Sequence, residues 1–206
     1  MTSTEQMARD ERAEFASFLE GLTPEQWTSP SLCEGWRVRD VAIHTVSYDE
    51  LGPAGLVTRF VKGRLSTDRI NAIGVADYAD RTPEQIVALI RSCTEPNGLT
   101  GGFGGRIALT DGMIHQQDIR RPLGLPRTIE PQRLRTALDF ARWAPTIRGA
   151  WRARGIRLVA TDLDWSAGRG DEVRGPGEAL LMAMAGRPDA LDDLDGPGKA
   201  KLSARM

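Results

Sequence analysis

The stretch "LTDGMIHQQDIRRPLG", residues 109–124, decides how the chain is read. It places Asp111 and His115 four residues apart among apolar side chains, with Gly112 between them. Positions i and i+4 are neighbours on a helix surface, so the acid and the imidazole share one face. A helix is expected from about Arg106 to Arg121, stopping at Pro122, which has no N–H to continue the ladder. The only other histidine, His44, lies in "GWRVRDVAIHTVSY", residues 35–48, also among apolar residues. The pattern is that of a helical bundle with polar side chains at the edge of its own core.

The flanking sequence supports this. Residues 4–22 carry Met7, Phe15, Phe18, Leu19 and Leu22 near helical period. Thr23, Pro24 and Gln26 have the spacing of an N-cap, a first-turn proline and the third residue of a capping box. A second long helix is expected from Arg37 or Val38, with a stripe of Val38, Val41, Ala42, Thr45 and Val46. Helix is expected again from Pro53, followed by a looser connection over "STDRINAIGVADYAD". "TPEQ" recurs at Thr82–Gln85 and opens a helix with Ile86, Leu89, Ile90 and Cys93 on one face. "EPNGLTGGFGG" breaks the pattern, and a further helix starts near Pro131. After residue 155, "GIRLVATDLDWSAG" alternates as one or two short strands. "GPGEALLMAMAGR" reads as an apolar helix, and the tail after it has little apolar content and is expected to be partly disordered.

Composition narrows the classes of function. The 206 residues are 40% hydrophobic and 27% charged, with a net charge of −1, as in a soluble globular protein. The balanced charge argues against a general nucleic-acid binder. No apolar run approaches the ~18 residues that span a bilayer. The polar start "MTSTEQMARDERAEF" is unlike a secretory signal. Cys33 and Cys93 form neither a CxxC nor a disulfide framework, and a reduced cytoplasmic protein is the simplest reading.

Three side chains then carry the chemistry. If His44 meets Asp111 and His115, two imidazoles and a carboxylate can bind one divalent first-row ion, zinc above all. Three protein ligands leave a coordination position open, as catalytic sites do. The bland alternative is a pair of core histidines, one of them with a local Asp–His contact. Each histidine also has an acid at helical spacing, Asp40 before His44 and Asp118 after His115. These acids either orient the imidazoles or face solvent. Arg120 and Arg121 suit the end of a helix dipole, and could also bind an anionic substrate. Cys33 reads as packing, since no basic partner is evident. Trp27, Trp36, Trp143 and Trp151 read as core or junction anchors.

Three segments resemble the mycothiol-dependent maleylpyruvate isomerase family, part of the DinB-like four-helix-bundle superfamily. They are "WTSPSLCEGWRVRDVAIH" (Trp27–His44), "DGMIHQQDIRRPLG" (Asp111–Gly124) and, more loosely, "LVATDLDWSAG…GEALLMAMAGR" (Leu158–Arg187). The resemblance implies a metal bound by His44, Asp111 and His115. It implies mycothiol, the low-molecular-weight thiol of actinobacteria, as thiol cosubstrate. The family's acid ligand is usually glutamate, so Asp111 is one methylene short. The family also implies an active-site arginine from the C-terminal module, and Arg187 is its match.

Together these readings predict a mainly α protein. A DinB-like antiparallel four-helix bundle over residues 1–154 carries the metal site, and a small α+β module covers residues 155–206. The expected function is a metal-dependent, thiol-using isomerase or S-transferase. It would act on a small electrophilic substrate whose carboxylate is held by Arg187 or Arg120. Two alternatives stay open: a non-catalytic metal or small-molecule binder of the same fold, and a structural bundle with core histidines. The expected setting is cytoplasmic, as monomer or homodimer, without nucleic-acid or membrane partners.

Overall fold

The computed structural model describes residues 2–206. Its chain forms two compact units, Met1–Pro126 and Arg127–Met206. In the first, α1 (Thr4–Glu20) begins at Ser3, whose side chain accepts the Gln6 N–H. The short α2 (Pro24–Thr28) opens with the expected capping box between Thr23 and Gln26. Next come α3 (Val38–His44), α4 (Pro53–Lys62) and α5 (Thr67–Ala76). A second capping box, Thr82 with Gln85, opens α6 (Pro83–Ser92), and α7 spans Arg106–Leu123. Both α1 and α3 pack against α6 and α7, which closes a four-helix bundle. Its core holds Phe15, Leu19, Trp27, Val41, Ile43, Ile86, Ile90 and Ile119. Burial of these apolar faces, rather than helix propensity, holds such short helices in place.

Two local expectations are corrected. The stretch expected as a loose connection contains α5, which packs on α3 and α4. Only Ile70 and Gly74 of α5 are fully buried, too few to show an amphipathic stripe in the sequence. Its seat depends on a glycine, since a Cβ on Gly63 would stand 2.4 Å from the Ile70 side chain. Helix α7 also runs past Pro122 to a left-handed Gly124. A proline there leaves the Asp118 carbonyl without its helical donor. The Leu32 N–H fills that place at 2.9 Å, so the loop before α3 docks on α7.

In the second unit α8 (Pro131–Ala141) packs on α10 (Gly177–Met184). Between them lie the one-turn α9 (Gly149–Arg152) and the strands β1 (Ile156–Ala160), β2 (Ser166–Gly168) and β3 (Asp171–Gly175). Strand β1 is central, antiparallel to β2 and parallel to β3. Leu158 faces Ala167 on one side and Val173 on the other, and α10 covers β1 and β3. Charged Asp171, Glu172 and Arg174 hide β3 from a hydrophobicity reading. The tail expected to be disordered is folded. A 3-10 turn (Pro188–Asp193) and α11 (Lys199–Ser203) bury Ala190, Leu194 and Leu202. Asp195 bridges to Arg174 through the backbone, and Arg205 donates to the carbonyls of Arg152 and Arg154. Among the described residues, no helix is long and apolar enough to cross a membrane.

Candidate metal centre

The three side chains singled out in the sequence meet. His44 is the last residue of α3, and Asp111 and His115 sit one turn apart on α7. Asp111 Oδ1 lies 3.4 Å from His115 Nε2 and 4.0 Å from His44 Nε2. The two imidazoles are edge to face, with centroids 4.7 Å apart. All three donor atoms fall within 4.8 Å of one another. Donors on a tetrahedral zinc stand about 3.3–3.5 Å apart, given bonds of ~2.0–2.2 Å. A small closure of His44 would let the three side chains hold one such ion. Trp36 and Tyr48 flank the His44 ring, at 5.1 and 6.1 Å between centroids.

Behind His115 lies a second set of contacts. Its Nδ1 is 2.9 Å from Asp118 Oδ2, and the Asp118 side chain is fully buried. An ionised carboxylate only accepts, so Nδ1 donates to Asp118, and Nε2 is the ring nitrogen that faces Asp111 and His44. The Cys33 thiol donates to the same Asp118 oxygen at 3.1 Å and lies 3.7 Å from His115 Nδ1. Cys33 is thus part of the site, contrary to the packing role expected of it. The Leu32 contact with the Asp118 carbonyl, which Pro122 makes available, holds it there. That link exists only in three dimensions. Asp118→Asn is expected to lower metal affinity by roughly 10–100-fold with the fold unchanged. A competition titration giving equal affinity for both proteins would remove Asp118 from this role.

Residues 8–97 match the family model described as the mycothiol maleylpyruvate isomerase N-terminal domain. The matched stretch spans less than half of the chain. It contains Cys33 and His44 and ends before Asp111 and His115. Over the whole chain the fold is similar to two crystal structures of mycothiol-dependent maleylpyruvate isomerase. One, a histidine-to-alanine mutant, has a TM-score of 0.58 at 15% identity. The other has 0.55 at 13%, and each comparison covers 97% of both chains. Such identities establish a shared fold. No curated protein matches the chain.

The charges of this centre act on one another. Burial pushes the Asp111 carboxyl up, but His115, then His44 and Arg12, outweigh it and hold the group at about 2. Burial likewise disfavours a charged His115, yet Asp111, Asp118 and Cys33 keep its proton on well above the usual histidine range. Both shifts describe one interaction and count once. For a histidine whose folded pKa is raised, the stabilisation is complete below its unfolded value of about 6.5 and is lost as pH rises through the folded value. For the depressed Asp111 it is complete above about 3.9 and is lost as pH falls toward 2. Metal-free protein should therefore be most stable between about pH 4 and 6.5 and weaken on the alkaline side. A melting temperature that stays flat from neutral to alkaline pH would contradict this.

The remaining expected site residues divide. Asp40 accepts from the Arg37 backbone N–H at 3.0 Å and from Arg37 Nε, so it closes the start of α3 and does not orient His44. Arg120 donates to Gln116 Oε1 and the Leu125 carbonyl and lies 3.7 Å over the Phe18 ring. Gln116 in turn donates to buried Glu11. These contacts pack Arg120 against α1. Arg187 precedes the 3-10 turn in the second unit, where its Nη1 donates to the Ala185 carbonyl.

Proposed function

We propose that this protein is a metal-dependent, thiol-using enzyme with the chemistry named for its structural relatives, mycothiol-dependent isomerisation. The observation that carries the reading is the convergence of His44, Asp111 and His115 from two helices, with His115 Nδ1 fixed by a buried carboxylate. The donor set fits a divalent first-row ion, zinc above others, since two neutral imidazoles and a carboxylate leave one positive charge and an open position. Such an ion, when bound, supplies the Lewis acidity that turns a thiol into its thiolate at neutral pH.

The chain's own residues do the rest. Asp118 holds a proton on His115 Nδ1, so Nε2 is the nitrogen that would coordinate, giving up its own proton to do so. Asp111 brings the negative charge, and Arg12 lies near enough to bias it toward the ionised form. Trp36 and Tyr48 wall His44 and restrict water there. The bound thiol would add to an electrophilic carbon of a small carboxylate-bearing substrate. The adduct either leaves as a conjugate or rotates and collapses with loss of the thiol. Arg187 remains the proposed partner of the substrate carboxylate. The reading places the enzyme in the cytoplasm, the compartment of low-molecular-weight thiols.

The test is metal content by mass spectrometry, followed by thiol consumption over a panel of electrophiles with mycothiol and other small thiols. Metal-free protein with no thiol chemistry after zinc loading would overturn the reading. Asp111→Glu is expected to keep or raise metal affinity, because the longer acid reaches further toward His44. Asp111→Ala should weaken it by more than tenfold through loss of a charged ligand. Equal affinity in all three proteins would take Asp111 out of the coordination sphere.

A further inference from the structure

The second unit carries a feature that the metal chemistry does not use. Residues 140–161 contain five arginines and neither Asp nor Glu. Three arginines, Arg142, Arg157 and Arg169, converge on an open concavity of about 560 Å³. None of the three forms an ion pair among the described residues. The nearest acid in the sheet register, Glu172 opposite Arg157, is engaged by Arg174 at 2.8 Å. The mouth is built rather than incidental. Arg157 projects from the central strand β1, and Arg142 closes the end of α8. Arg169 stands between Gly168 and Gly170, whose φ values are +85° and +122°. A Cβ on either glycine would lie 2.2 Å from a carbonyl oxygen of the segment entering β1, so this turn is pressed against the strand.

An apolar slot of about 340 Å³ adjoins the mouth and shares Arg142, Ala167 and Gly168 with it. Trp143, Ala150, Ala153 and Leu158 line the slot. Trp143, read from the sequence as a core or junction anchor, is 51% exposed. Its ring meets Phe140 edge to face at 4.7 Å, which fixes it as a wall. Three like charges around one concavity repel each other until an anion sits among them, and planar guanidinium groups match carboxylate or phosphate oxygens in pairs. The small residues beside Trp143 leave room for a flat apolar body.

We propose that this cleft is a second ligand site, for a small molecule with a carboxylate or phosphate head and an aromatic body. The head takes Arg142, Arg157 and Arg169, and the body lies against Trp143. This inference stands apart from the metal reading, since it uses none of the same residues.

The test is calorimetric titration of the full chain with 2-naphthoate, its neutral isostere 2-naphthamide, and inorganic sulfate. Saturable 1:1 binding of 2-naphthoate is expected, about tenfold or more tighter than 2-naphthamide, and weaker at high salt. Arg157→Gln and Arg142→Gln should each weaken it by about tenfold. Trp143→Ala should weaken 2-naphthoate and leave sulfate unchanged. Arg106→Ala, an exposed arginine of the first unit, should change nothing. These substitutions are at the surface, and melting curves identify any variant that unfolds. Arg157→Lys then serves in place of the glutamine variant, and should bind with intermediate affinity. Equal binding of acid and amide, or binding that survives both arginine substitutions, would overturn the proposal. So would Trp143-dependent sedimentation with phosphatidylglycerol vesicles without binding of free 2-naphthoate, which would make the face a lipid surface.

Discussion

His44→Ala is expected to leave the purified protein nearly devoid of metal while the bundle stays folded. Losing one of three ligands should cost more than the roughly 10–100-fold typical of losing an outer-shell partner. His44 is the sharper choice, because it belongs to α3 and has no local helix contact with α7. Its loss leaves Asp111 and His115 one turn apart and still coupled through their 3.4 Å contact. His44 is 8% exposed and touches the rings of Trp36, Tyr48 and His115, so some packing is lost. A purely structural histidine predicts the reverse pattern. Stability would fall by the ~1–3 kcal/mol of a broken buried polar contact, and metal content would not change. Metal analysis and thermal melts on the same preparation separate the two. Unaltered metal content would end the proposal that His44 is a ligand.

Why this site could be read in advance, and its supports could not, follows from the range of the interactions. Capping signals act within four residues, so Thr23–Gln26 and Thr82–Gln85 announce their helices directly. Asp111 and His115 are equally local, and both histidines fall at apolar edges that a bundle must turn inward. Cys33 and Asp118 are far apart in the chain, joined only because Pro122 frees a carbonyl for Leu32. No spacing rule encodes that. Helix α5 was hidden for another reason. It is held by close packing at Gly63 and Gly74 rather than by a wide apolar stripe. A boundary at residue 154 and one at Pro126 read alike in the sequence, because α8 has an ordinary amphipathic pattern, which does not say which core it joins. Its Leu134, Ala137 and Leu138 serve the α+β unit beside α10.

Asp49→Ala is expected to be the most destabilising single change in the first unit. Arg12 grips Asp49 with Nη1 and Nη2, at 2.8 and 2.9 Å, and the two side chains are 5% and 2% exposed. Arg12 also donates to the Cys93 carbonyl, while Asp49 accepts from the Asn97 N–H and the Thr100 hydroxyl. One carboxylate therefore ties α1 to the turn after α3 and to the loop that leads into α7. Removing it leaves a buried guanidinium without its counter-charge and the Asn97 N–H without its acceptor, while the Thr100 hydroxyl keeps the Asn97 carbonyl. Breaking such a pair from one side costs about 3–5 kcal/mol. At roughly 2–4 °C per kcal/mol for a chain of this size, the melting temperature should fall by about 6–20 °C. Asp49→Asn should cost less, because an amide oxygen can still accept from Thr100 and Asn97. The double change Arg12→Met with Asp49→Leu should recover much of the loss, since an intact buried pair adds little beyond well-packed apolar side chains. That recovery distinguishes an uncompensated charge from simple loss of packing. The double variant should also bind metal less tightly, because Arg12 is one of the groups that hold Asp111 ionised. If Asp49→Ala changes stability by no more than about 0.5 kcal/mol, as an ordinary surface substitution does, the clamp does not set the start of α7.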